Sequence, residues 1–301
     1  MPLTSGLSRR QLLTGAAALF AFARLPALAA GQPASTDEFA PRFAAIENRL
    51  GGRLGVFALD TGNGKSIAHR VDERFPLCST FKLLLAACVL SRVDAGAETL
   101  NRPVRYSQAD LLSYAPITKA HVSAGQMTVA ELCAAALQYS DNTAANLLLA
   151  DIGGPARLTA WLRAQGDTVT RLDRNEPTLN TALPGDERDT TTPRAMVQTM
   201  QRILLEDHIL RAPSRTQLDT WLAGNTTGNA KLHAGLPADW QVGDKTGSGD
   251  NGASNDVAII RPPQRAPILV ACYYVGSTAP ADAINGAHAD VGRIVKTAFS
   301  S

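Results

Sequence analysis

The chain has 301 residues, of which 45% are hydrophobic and 19% charged, the composition of an ordinary globular protein with one or two domains. The 29 basic and 27 acidic residues give a net charge of +2 without any block of like charge, which argues against a nucleic-acid-binding protein. The five histidines and four cysteines form no HExxH, CxxC or mixed cluster, so we expect neither a metal ion nor another cofactor.

The N-terminus has the pattern of an export signal. Arg9 and Arg10 precede an apolar stretch from Leu12 to Ala23, and an A-x-A cleavage pattern occupies residues 27–29. The stretch is shorter than the roughly 20 residues that span a bilayer. We predict that residues 1–30 are a twin-arginine-type signal peptide and that the mature protein is periplasmic. No cysteine stands at the cleavage point, so we expect no membrane anchor in the mature form.

Helical and strand-like patterns alternate beyond a polar linker. Apolar residues from Phe39 to Leu50 recur at helical spacing, and GRLGVFALD and KSIAHRV are typical of two strands joined by the hairpin signal TGNG. From Phe81 to about Trp221 the chain is mainly helical. Three further strands are predicted in QVGDKTGSG, DVAIIRP and PILVACYYV, and apolar residues from Val291 to Phe299 predict a closing helix.

This order predicts an α+β fold, an antiparallel sheet flanked by helices and built from both chain ends, with an inserted all-helical domain. Residues 31–72 and 223–301 are assigned to the sheet domain and residues 73–222 to the helical domain. The cleft between two such domains is a favoured position for a ligand.

Two other patterns have simple structural interpretations. The four cysteines are flanked by apolar or small residues, so we predict free, buried thiols. The segment GSGDNG matches the GxGxxG fingerprint of dinucleotide sites, but a strand follows it where that fingerprint needs a helix, so we predict a tight turn.

Four short motifs contain candidate catalytic groups. Residues three apart share one face of a helix, so the Lys82 amine can approach the Ser79 oxygen and act as its base, provided that burial and a second cation lower the pKa of Lys82. Each motif alone also has a structural interpretation, as a helix cap, a solvated charge or a turn. The motifs, in chain order, are SxxK with Ser79 and Lys82, SDN from Ser140 to Asn142, EPTLN with Glu176 and Asn180, and KTGS from Lys245 to Ser248.

Together and in this order the motifs resemble those of the class A serine β-lactamases. The resemblance runs through the whole mature chain. It implies hydrolysis of the β-lactam ring of penicillins and some cephalosporins through an acyl-serine intermediate, with β-lactam resistance as the result. It further implies a monomer whose partners are β-lactam antibiotics. A penicillin-binding DD-peptidase or a β-lactam sensor domain is the alternative, but both need a long-lived acyl-enzyme.

The resemblance also implies roles for individual residues. Ser79 is the nucleophile, and either Lys82 or Glu176, acting through a water molecule, is the base for acylation. Glu176 drives hydrolysis of the ester, which favours the β-lactamase over the alternative. Ser140 passes a proton to the leaving nitrogen, and the backbone N–H groups of Ser79 and Ser248 form an oxyanion hole. The remaining substrate-binding residues are Tyr114, Asn142, Asn180, Lys245, Thr246 and Gly247.

Two departures from the family pattern bear on specificity. Many members hold the substrate carboxylate with an arginine, but the corresponding positions here are Ser254 and Ala289, which leaves Lys231 as a candidate cation. A lone lysine in a loop is usually solvated. One carbapenem-hydrolysing subgroup joins the cysteine before the nucleophile to a second cysteine after KTG, where this chain has Cys78 and Gly249.

Overall fold

The computed structural model describes residues 37–300. Its central element is a five-stranded antiparallel sheet. The strand order is β2-β1-β9-β8-β7, so strands from both chain ends pair directly through β1 and β9. The predicted signal peptide lies outside the described residues. The sheet strands are β1 Arg53–Asp60, β2 Ser66–His69, β7 Gln241–Ser248, β8 Ser254–Arg261 and β9 Ile268–Val275.

The chain between β2 and β7 is mainly helical, with two small sheets, β3 (Phe75–Pro76) with β6 (Thr190–Thr191) and β4 (Pro103–Arg105) with β5 (Gln126–Thr128). Within residues 37–300 no helix is long and apolar enough to cross a membrane. The helices are α1 Ala40–Leu50, α2 Phe81–Asp94, α3 Pro116–His121, α4 Val129–Gln138, α5 Asn142–Ile152, α6 Pro155–Ala164, α7 Pro193–Leu205, α8 Ala212–Ala223 and α9 Ala281–Phe299.

Both faces of the sheet are covered, which explains why β9 is an unbroken apolar run. Alternate residues of a strand point to opposite faces. Leu269 and Tyr273 pack with the helical layer that contains α2 and α7, whereas Val270 and Cys272 pack with α1 and α9. All eight residues of β9 are buried. The α+β architecture predicted from the sequence is confirmed.

Helix α2 lies at the centre of the helical layer. Its first ten residues, Phe81–Leu90, are all buried, and it contacts α4, α5, α6 and α8. A helix that is apolar on all sides is stable only in such a position. Each fully buried leucine of this run contributes about 1.5–3 kcal/mol relative to an exposed one. Lys82 is the one charged residue in the run, and its burial requires hydrogen-bonding partners.

All four cysteines are free and buried, as predicted. GSGDNG begins with the last two residues of β7, and its other four residues lie in the predicted turn before β8. The domain boundaries after residues 72 and 222 stay a prediction. The short strands β3 to β6 were not predicted.

Candidate active site

Ser79 lies in a 3-10 turn, Cys78–Thr80, that leads into α2. The turn begins at Cys78 with a φ of 43°, a left-handed conformation that costs a non-glycine residue energy and is often found at functional sites. The interpretation of Ser79 as a helix cap is wrong. Thr80 occupies the cap position of α2, no side chain caps that helix, and the Ser79 hydroxyl bonds instead to Lys82 and Glu176.

The Lys82 ammonium is fully buried among oxygen atoms. Its Nζ lies 3.0 Å from Ser79 Oγ, 2.8 Å from the Ser140 carbonyl oxygen and 2.6 Å from Asn142 Oδ1. It also lies 3.0 Å from Glu176 Oε1. Burial lowers the pKa of Lys82, and the opposing attraction of the Glu176 carboxylate does not reverse that direction. The SxxK and SDN motifs therefore meet at one amine.

Glu176 approaches Ser79 from the loop between α6 and β6. Its Oε1 accepts a hydrogen bond from Ser79 Oγ at 3.3 Å, and its Oε2 accepts one from Asn180 Nδ2 at 2.5 Å. Asn146 binds the Glu176 backbone on both sides, since its Nδ2 donates to the carbonyl at 2.9 Å and its Oδ1 accepts from the N–H at 3.0 Å. Asn146 was not predicted from the sequence. It lies four residues after Asn142, on the same face of α5, and this spacing could have indicated that it points toward the same site.

An ion pair closes this loop. Asp189 is fully buried, and its Oδ2 accepts a hydrogen bond from Arg174 Nε at 2.6 Å. Its Oδ1 accepts from the backbone N–H groups of Asp173 at 2.7 Å and Arg174 at 2.9 Å. Because one carboxylate holds both ends, we call residues 172–189 the Glu176 loop.

Ser140 links the two lysines. It has a φ of 57°, at the corner between α4 and α5. Lys245 Nζ donates to Ser140 Oγ at 3.1 Å, and Lys82 Nζ lies 3.4 Å from the same oxygen. Burial, reinforced by the Lys82 charge, lowers the pKa of Lys245 to about 7. The Ser140 hydroxyl therefore lies between the amines of two buried lysines.

The KTGS segment runs along β7, the edge strand of the sheet, next to the serine turn. A Cβ added to Gly247 would lie 3.1 Å from the Ser79 nitrogen and 3.0 Å from the Leu77 oxygen, so only glycine lets the strand approach this closely. Ser248 follows Gly247 at the end of β7. Thr246 Oγ1 lies 2.5 Å from the hydroxyl of Thr227.

Tyr114 stands at the rim. Its side chain is 51% exposed, and its carbonyl accepts a hydrogen bond from the Asn142 N–H at 3.1 Å. Hydrogen bonds and one ion pair join seven of the sequence-predicted site residues, Ser79, Lys82, Ser140, Asn142, Glu176, Asn180 and Lys245. Their catalytic and binding roles stay a prediction.

The two departures from the family pattern involve Lys231, which is buried, and Gly249, which is partly buried. Lys231 is buried, not solvated, and its Nζ donates to Ser254 Oγ at 2.6 Å and to the Asn255 carbonyl at 3.2 Å. Burial lowers its pKa. A Cβ on Gly249 would lie 2.8 Å from Cys78 Sγ, so these two residues are neighbours without being bonded.

Comparison with known proteins agrees with this geometry. The family model described as "Beta-lactamase enzyme family" matches residues 38–299. Beta-lactamase CTX-M-8 from Citrobacter amalonaticus is 49% identical over 88% of this chain and 91% of its own length. The carbapenem-hydrolyzing beta-lactamase KPC from Klebsiella oxytoca is 52% identical over 80% of this chain and 82% of its own.

Solved structures give the same result. An ancestral (GNCA) class A β-lactamase has a TM-score of 0.85 and 58% identity, and covers 87% of this chain and 100% of its own. The putative class A β-lactamase PenP from Rhodopseudomonas palustris has a TM-score of 0.85 and 54% identity, with the same coverage. The chain belongs to the β-lactamase enzyme family. Within that family it is a class A serine β-lactamase.

Proposed function

We propose that the chain hydrolyses penicillins and some cephalosporins through an acyl-enzyme on Ser79, and so confers β-lactam resistance. The observation that carries the proposal is the position of Ser79 Oγ, 3.0 Å from Lys82 Nζ and 3.3 Å from Glu176 Oε1. A serine hydroxyl needs such a base to become a useful nucleophile. All three side chains are buried, so bulk water does not weaken their interactions.

Acylation begins when Ser79 attacks the lactam carbonyl and gives its proton to the Lys82–Glu176 pair. The two groups are 3.0 Å apart, so either of them can receive the proton. The backbone N–H groups of Ser79 and Ser248 stabilise the charge on the carbonyl oxygen, and losing one such donor typically costs about 3 kcal/mol. Ser140, which bonds to Lys245, donates a proton to the leaving nitrogen as the C–N bond breaks, and it regains a proton from Lys82, whose Nζ lies 3.4 Å from the Ser140 hydroxyl oxygen.

Deacylation requires a water molecule attacking the ester. Glu176 takes a proton from this water, and Asn180, bonded to the other carboxylate oxygen, helps to hold it. The ester bond breaks and Ser79 recovers its proton. Asn146 is a positioning residue, because it binds the Glu176 backbone.

The Glu176→Ala variant tests this assignment. A penicillin pulse followed by intact-protein mass spectrometry should show an accumulated adduct, whereas the unsubstituted chain should return to its free mass. Glu187→Ala is the control, since the Glu187 side chain lies in the same loop but is 66% exposed. Unchanged turnover by Glu176→Ala would contradict the deacylation role. A long-lived adduct on the unsubstituted chain would instead favour the DD-peptidase or sensor function.

Substrate range follows from the cleft. We propose that Tyr114 forms its aromatic wall, Asn142 binds the substrate side-chain amide, and Lys245, Thr246 and Ser248 receive the carboxylate. Lys231 supplies a second cation through Ser254, to which it donates at 2.6 Å. The disulfide of the carbapenem-hydrolysing subgroup cannot form at Gly249, which argues against carbapenem turnover. A kcat/KM panel of penicillin, cephalosporin, monobactam and carbapenem substrates tests the range.

The proposal includes export to the periplasm by the twin-arginine route and a monomeric mature protein. Replacing Arg9 and Arg10 with lysine should leave activity in the cytoplasmic fraction of a bacterial host. Light scattering on the purified protein should give the mass of a single chain. A doubled mass would contradict the monomer.

A further inference from the structure

A cavity lies between the Glu176 loop and the ends of β1 and β9. Its volume is about 470 Å³, within the range of small-molecule sites. The loop forms one wall, including Leu179 and Leu183, and the ends of β1 and β9 form the other, at Arg53 and Val275. Ser79, Lys82 and Glu176 do not line it.

The loop is tied to this cavity through Asn251. Its Nδ2 donates to the Thr181 carbonyl at 2.9 Å, and its own carbonyl accepts from the Gly276 N–H at 2.7 Å. The cavity wall is therefore held by hydrogen bonds to the end of β9, which makes it a preformed site.

The lining combines apolar surface with an excess of positive charge. Leu183 and Pro184 present exposed apolar surface, and the Leu183 side chain is 51% exposed. Four arginines and three acidic residues line the cavity, so the lining carries a net positive charge. An occupant that matches both features has an apolar body and one negative group.

Two of the arginines have donors left for such a group. Arg74 uses Nη1 for Thr190 Oγ1 and the Val169 carbonyl, while its Nε lies 3.9 Å from the nearest carboxylate oxygen, too far for a hydrogen bond. The adjacent Nε and Nη2 of Arg74 therefore have no hydrogen-bond partner among residues 37–300. Arg174 Nη2 is 3.8 Å from Asp186 and is likewise available. An arginine fork of this kind binds a carboxylate through two parallel bonds.

We propose that this cavity binds a small aromatic carboxylate, with the carboxylate on Arg74 and the ring against Leu183 and Pro184. The proposal does not depend on the catalytic roles assigned above, because none of those side chains lines the cavity. The probe is 2-naphthoate, and its neutral isostere 2-naphthamide is the matched control ligand. Isothermal titration calorimetry measures affinity, and amide chemical shifts in NMR locate the probe.

Naphthoate should shift the amides of residues 179–188 and 274–276 and bind about tenfold more tightly than naphthamide, as expected for a charge-assisted bond. Arg74→Gln should weaken it by a similar factor. Arg188→Gln is the control, because Arg188 also lines the cavity but its Nε and Nη2 are already bonded to Asp186. If Arg74→Gln does not fold, Leu183→Asp is the second test. The exposed position tolerates the charge, and the added carboxylate should weaken naphthoate binding by repulsion.

Three results would overturn the proposal. One is equal affinity for naphthoate and naphthamide. Another is equal weakening by Arg74→Gln and Arg188→Gln. The third is that naphthoate shifts only amide signals of residues around Ser79 and competitively inhibits penicillin turnover. That result would place the probe in the active site instead.

Discussion

Asp189→Ala should destabilise the protein and slow deacylation more than acylation. The Asp189 carboxylate accepts hydrogen bonds at 2.6 Å from Arg174 Nε and at 2.7 and 2.9 Å from two backbone N–H groups. Its side chain is 0% exposed, and that of Arg174 is 18% exposed. The substitution leaves one guanidinium and two N–H groups without their acceptor.

The magnitude follows from burial. Removing one partner of a buried ion pair costs about 3–5 kcal/mol. Arg174 reaches some solvent and lies 3.8 Å from Asp186, so we expect the lower end, about 3 kcal/mol. With a urea m-value of about 3 kcal/mol/M for a chain of this size, the unfolding midpoint should fall by about 1 M.

Urea unfolding followed by tryptophan fluorescence measures the midpoint, and single-turnover mass spectrometry with penicillin separates acylation from deacylation. Asp186→Ala is the matched control, because its partner Arg188 is 50% exposed and such a pair is worth at most about 1 kcal/mol. Deacylation of Asp189→Ala should be at least about tenfold slower, since Glu176 loses its fixed position. Equal midpoints for the two variants, or a selective loss of acylation, would refute the reasoning.

Three further predictions concern the cleft. The pKa of Lys245 is about 7, so its positive charge is lost as the pH rises through that value, and kcat/KM for an anionic penicillin should fall on the alkaline side. In Lys245→Arg this alkaline fall in kcat/KM should move above about pH 9, since arginine keeps its charge. Lys231→Ala should raise the penicillin KM at low salt with little change in kcat, and an unchanged KM would exclude Lys231 as the second cation. Gly249→Ala puts a Cβ 2.6 Å from the Asn180 carbonyl oxygen and 2.8 Å from Cys78 Sγ. The free energy of unfolding, measured in urea, should therefore fall by about 1–3 kcal/mol. Single-turnover experiments should show slower deacylation, because Asn180 is displaced.

The long elements of the fold were predictable because each carries a strong local pattern. Helix α2 and strand β9 are continuous apolar runs, and α1 shows clear helical spacing. Strands β3 and β6 have two residues each, and two residues carry no periodicity. Those strands exist only because distant parts of the chain meet.

The candidate catalytic residues were recognisable as motifs, but their supporting contacts were not predictable. Asn146 is an ordinary helix residue until the Glu176 backbone is brought against it by the fold. Lys231 lies in a loop, where lysine is usually solvated, and becomes buried because strand β8 provides Ser254 Oγ and the Asn255 carbonyl as acceptors. In each contact the two residues are more than twenty positions apart in the sequence, so no local sequence pattern indicates the contact.

The charges of the buried site explain why its two lysines differ. Lys82 and Lys245 are both fully buried, and among residues 37–300 Glu176 is the one carboxylate within 4 Å of either amine. Glu176 lies 3.0 Å from Lys82, whereas Lys245 Nζ bonds to the Ser140 hydroxyl and the Thr246 carbonyl. Asp244 and Asp256 attract Lys245 from beyond ion-pair distance, and this attraction does not offset burial and the repulsion of Lys82, so holding a positive charge on Lys245 is costly. The cost falls on Lys245, and a substrate carboxylate that enters the cleft supplies the missing negative charge. The cleft of Ser79 is therefore electrostatically complementary to an anionic β-lactam before any catalytic step begins.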